Sequence, residues 1–589
     1  MNGHGRRGRR VSRVIGWTLA ASLLGACGGL PSSSPVGRGL EVGANDYAPI
    51  RLQFDPPAPG ASPQQIVDGF LLASSSDDDD YSAARLFLTG AASSAWTPRS
   101  GVTVYSDSND LTLEGDGEKV SVRAPVRARL DSSGRYYVAS PGEVATSTLG
   151  LTQVAGEWRI SELPDDFGLW LTPFHFGRAY GRFALTYADP VDRSLISDYR
   201  WFRQGQGLAT SLAKAQLADV PPYLQGAAVT GFPPKSRLVV DSVPIVENVA
   251  QVELSTEIRD VATVEQRRSA WAQMFRTLRQ VQGVTAVSLS VEGGRLSLVG
   301  VDGLPTSLAA LGFAQPEAAP RAIVLRTGTR LSAADFTGWL TGGENQRAVD
   351  APPLPEVPLR WERLAISQDL GSGIGVDKAR ASIYRWTPRD SGSPPTFGSS
   401  LTEPAFDRRG QGWIAGVDGA GRPRIWYIQA DLPVRTAPEV IEAPWLDQRV
   451  TAVKPAPGGR RLAIALTDGA GQTSVYVSGI AVEQGGTPVA LQKPWRIAAG
   501  LTDVRDLSWV DDSAVAVVAG RKGAKVAPRI LPLGEQEAPL AEVNGAAQIV
   551  TSGGERGVVV VSEDGAVWRR IGGGWHRHDE VGELIVPGS

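Results

Sequence analysis

The chain has 589 residues, more than a single hydrophobic core organises, so several domains are expected. Hydrophobic residues make up 42% and charged residues 21%, the balance of ordinary globular protein rather than of a disordered or fibrous chain. The net charge of −3 falls to −8 once the five-arginine leader described next is removed, which excludes the overall basic footprint of a nucleic-acid binder. With one cysteine, disulfides within the chain and cysteine-ligated metal sites are excluded as well.

The leader carries Arg6, Arg7, Arg9, Arg10 and Arg13, followed by an apolar run from Val14 to Leu24. That run is well short of the roughly 20 residues a spanning helix needs, so residues 1–26 read as a signal peptide. It ends in Leu24-Gly25-Ala26-Cys27, which resembles the bacterial lipobox. That motif implies lipidation of Cys27, the new N-terminus, with acyl chains as the membrane attachment. Residues 27–45, rich in Gly, Ser and Pro, read as a flexible tether reaching about 20–25 Å.

The first folded region is expected over residues 46–205. Pro63 opens an amphipathic helix bearing Ile66, Phe70, Leu71 and Leu72, and a second helical piece carries Ala84, Leu86 and Phe87. Asp77 to Asp80 lack the spaced glycine and terminal glutamate of a calcium loop and read as a solvated turn. Alternation at Val102–Tyr105, Val120–Val122, Tyr136–Val138 and Leu149–Leu151, ending in the strand Gly156-Glu157-Trp158-Arg159-Ile160, predicts a sheet. Helices followed by such a sheet resemble the NTF2-like α+β cone. A cone of this kind can hold a pocket, but His175, Asp165 and Asp166 form no acid/base pair legible in sequence.

A second module is expected over residues 206–315. Leu238-Val239-Val240 and Val249–Ser255 are predicted strands, and Val264, Arg267, Trp271, Phe275 and Leu278 recur at helical spacing until Gly283. Trp271 and Phe275 fall on the buried stripe of that helix and read as core. A strand over Val284–Val291 follows, and the combination resembles the GerMN α+β domain.

Residues 316–589 carry an internal repeat. Trp413–Val417 leads through Asp418-Gly419-Ala420-Gly421 into Arg424–Ile428, and Leu462–Leu466 through Asp468-Gly469-Ala470-Gly471 into Ser474–Val477. Val558–Ser562 leads through Asp564-Gly565 into Ala566–Arg569, and two looser copies lie at 364–386 and 514–533. Asp-Gly between alternating runs marks a hairpin, since glycine accepts positive φ. Recurrence every 40–55 residues or so is the period of a propeller blade. Five blades are visible, and Ile323–Val349 is the candidate for a sixth. The fold class is therefore multidomain and mainly β with α+β modules.

Lipobox, NTF2-like region, GerMN domain and β-propeller in this order resemble the actinobacterial LpqB lipoprotein family along essentially the whole chain. The resemblance implies a lipid-anchored protein on the extracytoplasmic face of the cell membrane. It further implies a partner, the extracytoplasmic domain of an MtrB-type sensor histidine kinase of a two-component system, with effects on envelope homeostasis and cell division. Cys27 is the one site residue that carries over.

The residues call for no enzyme, cofactor or metal. Of four histidines, His4 leaves with the leader; His175, His576 and His578 remain, and neither H-E-x-x-H nor G-x-S-x-G occurs. Gly371-Ser372-Gly373-Ile374-Gly375 only loosely resembles a phosphate loop and reads as a loop between propeller strands. His576 and His578 face one side of a strand without an evident third ligand. Carboxylate pairs for glycoside hydrolysis are set by fold rather than spacing. The alternative of an envelope-glycan binding protein or hydrolase, using the propeller channel, therefore stays open.

Overall fold

A computed structural model describes residues 54–588, apart from 77–79, 116, 315–321, 342–348, 350, 552 and 581–582. Cys27, the leader and the tether, together with Asp77 to Asp79 of the acidic turn, lie outside the described residues.

The N-terminal region begins with the helix Pro63–Ala73, which starts where Ser62 and Gln65 form a reciprocal capping box ahead of a proline. Its buried face carries Ile66, Val67, Phe70 and Leu71, while Leu72 is exposed. The helix packs on a sheet whose central strand, Lys119–Asp131, alternates buried and exposed positions almost perfectly. Among the described residues this sheet has seven strands, with Glu157–Glu162 at one edge and Leu169–Leu171 at the other. The hollow of the cone is filled. Trp96 stacks edge-on against Phe70 at 5.0 Å and Tyr81 at 5.5 Å, and its indole N–H donates to the Gly168 carbonyl.

A long hairpin, Tyr180–Ala188 with Leu195–Arg203, lies on the N-terminal side of the boundary expected at 205/206. It packs Leu185, Tyr187 and Ile196 into the core of the second module. The helix of that module, Val264–Leu278, starts at a Thr263/Gln266 capping box and buries Trp271, Met274, Phe275 and Leu278. Val249–Leu254 and Ala286–Val291 pair in parallel beside it. Leu238–Val240 is not a strand as expected. Only Leu238 bridges to Leu254, and Val239 and Val240 are exposed, because the chain turns at Ser242 instead of continuing the ladder.

The propeller comprises six sheets of three to five strands among the described residues, with a two-stranded ribbon of Lys525–Val526 and Val543–Asn544 beside them. Blades two to six begin at the inner strands Trp361–Ile366, Ala405–Phe406, Arg449–Pro455, Val504–Asp511 and Ala546–Thr551. Blade one is composite: Glu583–Ile585, from the end of the chain, pairs with Ala322–Thr327, which pairs with Arg330–Asp335. The last strand thus closes the circle on the first, so the edges that five open blades would leave are paired.

Gly371–Gly375 corrects one expectation. Gly373 and Gly375 are not loop residues but lie in the second strand of blade two, Gly373–Asp377. A Cβ on Gly373 would sit 1.9 Å from the Trp386 ring, so glycine is there to admit the indole. The Asp-Gly turns of blades three and four also differ in detail from the expectation. The positive φ falls on Gly421 and Gly471, the second glycine of each loop, while Asp418 and Asp468 accept backbone N–H groups across the turn.

Because each blade meanders, all turns from first to second strand lie on one face of the propeller and all turns from second to third on the other. The second module docks on the first of these faces. Arg460, in the first turn of blade four, holds Asp189 of the long hairpin through two bonds of 2.7 and 3.1 Å, with both side chains buried. Arg461 donates to the Ser197 carbonyl, and Arg408 and Arg409 of blade three pair with Asp192. Apolar packing is continuous from Trp271 and Phe275 through Tyr223 to Trp495, Leu531 and Leu533 of blades four and five.

Candidate functional site

The functional candidate in a propeller is its axis, where the inner strands converge. Four of these strands carry a bulge within the first two pairs of the ladder, between Glu362/Leu364, Val450/Ala452, Val504/Asp506 and Ala546/Gln548. A bulge turns the strand and re-aims the neighbouring side chain. Around the axis this produces a ring of hydrogen bonds that joins every blade to the next. Glu583 of blade one accepts from the Leu364 amide of blade two at 2.6 Å. Arg363 of blade two and Lys454 of blade four both reach Glu403 of blade three, each at 3.4 Å. The Trp509 indole of blade five donates to the Lys454 carbonyl at 2.9 Å, and Asp506 of blade five accepts from the Ile549 amide of blade six at 2.8 Å. Gln548 of blade six closes the circle on the Leu584 carbonyl at 2.7 Å.

The electrostatics follow from burial. Desolvation, joined by the negative charge of Glu403, pushes the carboxyls of Asp506 and Glu583 up to about 7. Burial works against the charge of Lys454, but Glu403 and Asp506 outweigh it and hold its pKa above the usual lysine value. No sequence motif announces these residues. They are spaced by whole blades and meet only through the closed fold.

A second buried cluster lies where the three modules meet. Asp198 of the long hairpin is fully buried and accepts from Arg135 of the N-terminal region, from Arg200, and from the Tyr223 hydroxyl of the second module. Burial alone would raise its pKa; the charges of Arg200 and Arg135 outweigh that and lower it. The Arg135 guanidinium lies 5.1 Å from the Tyr223 ring and 5.2 Å from the Trp495 ring of blade four. Trp495 in turn donates to the Tyr136 carbonyl, Arg496 to Val138, and Trp201 to Gly534.

The residues singled out in sequence are scattered. His175 sits in the first turn of the helix Pro173–Ala179, with its ring against the Thr172 hydroxyl at 3.1 Å. Burial and Arg178 lower its pKa. His576 and His578 lie on Gly574–Glu580, the outermost strand of blade six, where His578 meets Trp339 edge-on. Among the described residues, no three His, Cys, Asp or Glu side chains are grouped to hold a metal. No described helix is long and apolar enough to cross a membrane.

These features define a multidomain β-propeller protein in which buried ion pairs join an N-terminal cone to an α+β module and that module to the propeller. Three family profiles match the chain in order. They are the N-terminal domain of lipoprotein LpqB over residues 56–176, the sporulation and spore germination (Germane) domain over 184–297, and the lipoprotein LpqB beta-propeller domain over 338–587. Lipoprotein LpqB of Streptomyces avermitilis is 27% identical, covering 99% of this chain and 99% of that protein. Lipoprotein LpqB of Thermobifida fusca is 26% identical, over 95% and 97%, and that of Streptomyces coelicolor 26%, over 99% and 99%. The chain belongs to the LpqB family of membrane-associated lipoproteins.

Proposed function

We propose that the protein is lipidated at Cys27 and displayed on the extracytoplasmic face of the cell membrane. There it binds and modulates the extracytoplasmic domain of an MtrB-type sensor histidine kinase, and so affects envelope homeostasis and cell division. It acts by docking and not by catalysis. The observation that carries this reading is the match to LpqB lipoproteins over the full length of both chains. The architecture supports it: the channel's polar groups are engaged in joining blades, and the module junctions are closed by buried charge pairs. Residues 27–45 act as the tether that gives this body its reach from the membrane.

Two arms test the reading. Cys27→Ala is expected to abolish partition into the detergent phase; continued partition would sink the anchor. The lipidated protein, extracted in mild detergent, is expected to co-purify with the sensor kinase of the same cells. Recovery of the protein free of kinase, with both present, would count against the partner.

The second reading, an envelope-glycan binding protein or hydrolase using the channel, has one observation in its favour. Asp506 and Glu583 are carboxyls raised to about 7, in the range a general acid needs. Against it, each is already bonded to a backbone amide of the adjacent blade. Release of reducing ends from envelope glycan, lost in Glu583→Gln, would establish it.

A further inference from the structure

The face of the propeller opposite the second module carries the entrances of the inner strands and the turns from second to third strand. At blades two to four this entrance is lined by three arginines. Arg363 is the extra residue of the blade-two bulge, Arg380 lies in the following second-to-third-strand turn, and Arg449 begins the inner strand of blade four. The Arg380 carbonyl accepts from the Leu401 amide at 3.0 Å, which brings its turn beside Thr402 and Glu403 of blade three.

Comparison among the blades sets Arg380 apart. In blades two, three and four the turn is built the same way: an aspartate carbonyl (Asp377, Asp418, Asp468) accepts the amide three residues on. That third residue has positive φ in each. In blades three and four it is Gly421 and Gly471, at +77° and +81°, whereas in blade two it is Arg380, at +54°. Arg363 has φ +50°, and the extra residues of the other bulges, Thr451, Arg505 and Ala547, are not left-handed. Two arginines therefore occupy backbone positions at one mouth that favour glycine. A side chain kept where its backbone is strained points to a use for that side chain.

Glu403 is shared between Arg363 and the buried Lys454. Among the described residues neither Arg380 nor Arg449, both exposed, forms an ion pair. Partial desolvation and the charges of Arg363 and Arg449 pull the Arg380 pKa down, and Glu403 and Glu362 do not restore it. Arg380 thus feels the positive charge of both Arg363 and Arg449, an arrangement that an incoming anion relieves.

We propose that the propeller mouth opposite the second module is an oxyanion-binding site, in which Arg363, Arg380 and Arg449 receive a multivalent carboxylate or phosphate ligand beside Glu403. The site does not depend on the kinase reading, because the ligand is a small anion and is assayed without the partner.

The experiment is calorimetric titration of the detergent-solubilised full chain with citrate in one arm and inorganic pyrophosphate in the other, at two salt concentrations. Saturable binding tighter than about 1 mM in at least one arm, weakened by salt and reduced at least about tenfold in Arg380→Gln and Arg449→Gln, is expected. The arm that binds identifies the ligand as carboxylate or phosphate in type. Arg449→Gln, at an exposed strand start, decides the matter if Arg380→Gln disturbs its turn. Absence of saturable binding in both arms, or binding undiminished in Arg449→Gln, overturns the site.

Discussion

Asp198 and Asp506 show how far surroundings decide what a buried carboxylate does. Asp198 accepts four hydrogen bonds from Arg135, Arg200 and Tyr223, and stays ionised. Its pKa is lowered, so its contribution to stability is present above the ordinary aspartate value and lost as pH falls through the depressed one. Asp198→Asn leaves two buried guanidiniums without a carboxylate. A loss of about 3–5 kcal/mol is expected in denaturant unfolding. A loss below about 1 kcal/mol would mean that the cluster is not what closes the module junction. Asp506 behaves oppositely. Its pKa is raised to about 7, so the native state holds a proton that the unfolded chain releases near pH 4. The stability it contributes is full below pH 4 and is lost as pH rises through about 7. Asp506→Asn is expected to flatten the fall in thermal midpoint between pH 4 and 7 relative to the parent protein. An unchanged slope would place the titration elsewhere. Neither role was legible in sequence, because the partners come from other modules or other blades.

At the scale of elements, legibility tracked local chemistry. The helices beginning at Pro63 and Val264 were readable because caps and apolar periodicity are written within a few residues, and Trp271 and Phe275 are core as their spacing implied. The Asp-Gly turns were readable as turns, though in blades three and four the left-handed residue is the later glycine, since the aspartate side chain organises the first part of the loop. Leu238–Val240 has strand composition, yet Val239 and Val240 are exposed, because the chain turns at Ser242 after the single bridge from Leu238 to Leu254. Gly373 was read as loop because glycine marks both turns and close approaches, and only the Trp386 ring distinguishes the two. Gly373→Val forces that indole out of place and is expected to cost about 1–3 kcal/mol as overpacking. Loss of the Trp386 packing would appear in near-ultraviolet circular dichroism. An unaltered spectrum and midpoint would show that the ring has room to move.

At the scale of the molecule, the order of the three folded modules was legible from helix-and-sheet pattern and repeat, but assembly was not. Closure of the propeller joins residues 583–585 to 322–327, a pairing between distant segments with no local signature. Docking through Arg460 and Asp189 joins residues far apart in sequence in the same way. The result is a body whose second module docks on one propeller face and, among the described residues, not on the other, which suits the proposed docking of a partner. The measurement that tests this account most directly is equilibrium titration of the lipidated full chain, in detergent, with the purified extracytoplasmic domain of the sensor kinase. The account expects saturable binding tighter than about 1 mM at physiological salt. A flat titration through that range, with both proteins folded, would contradict it.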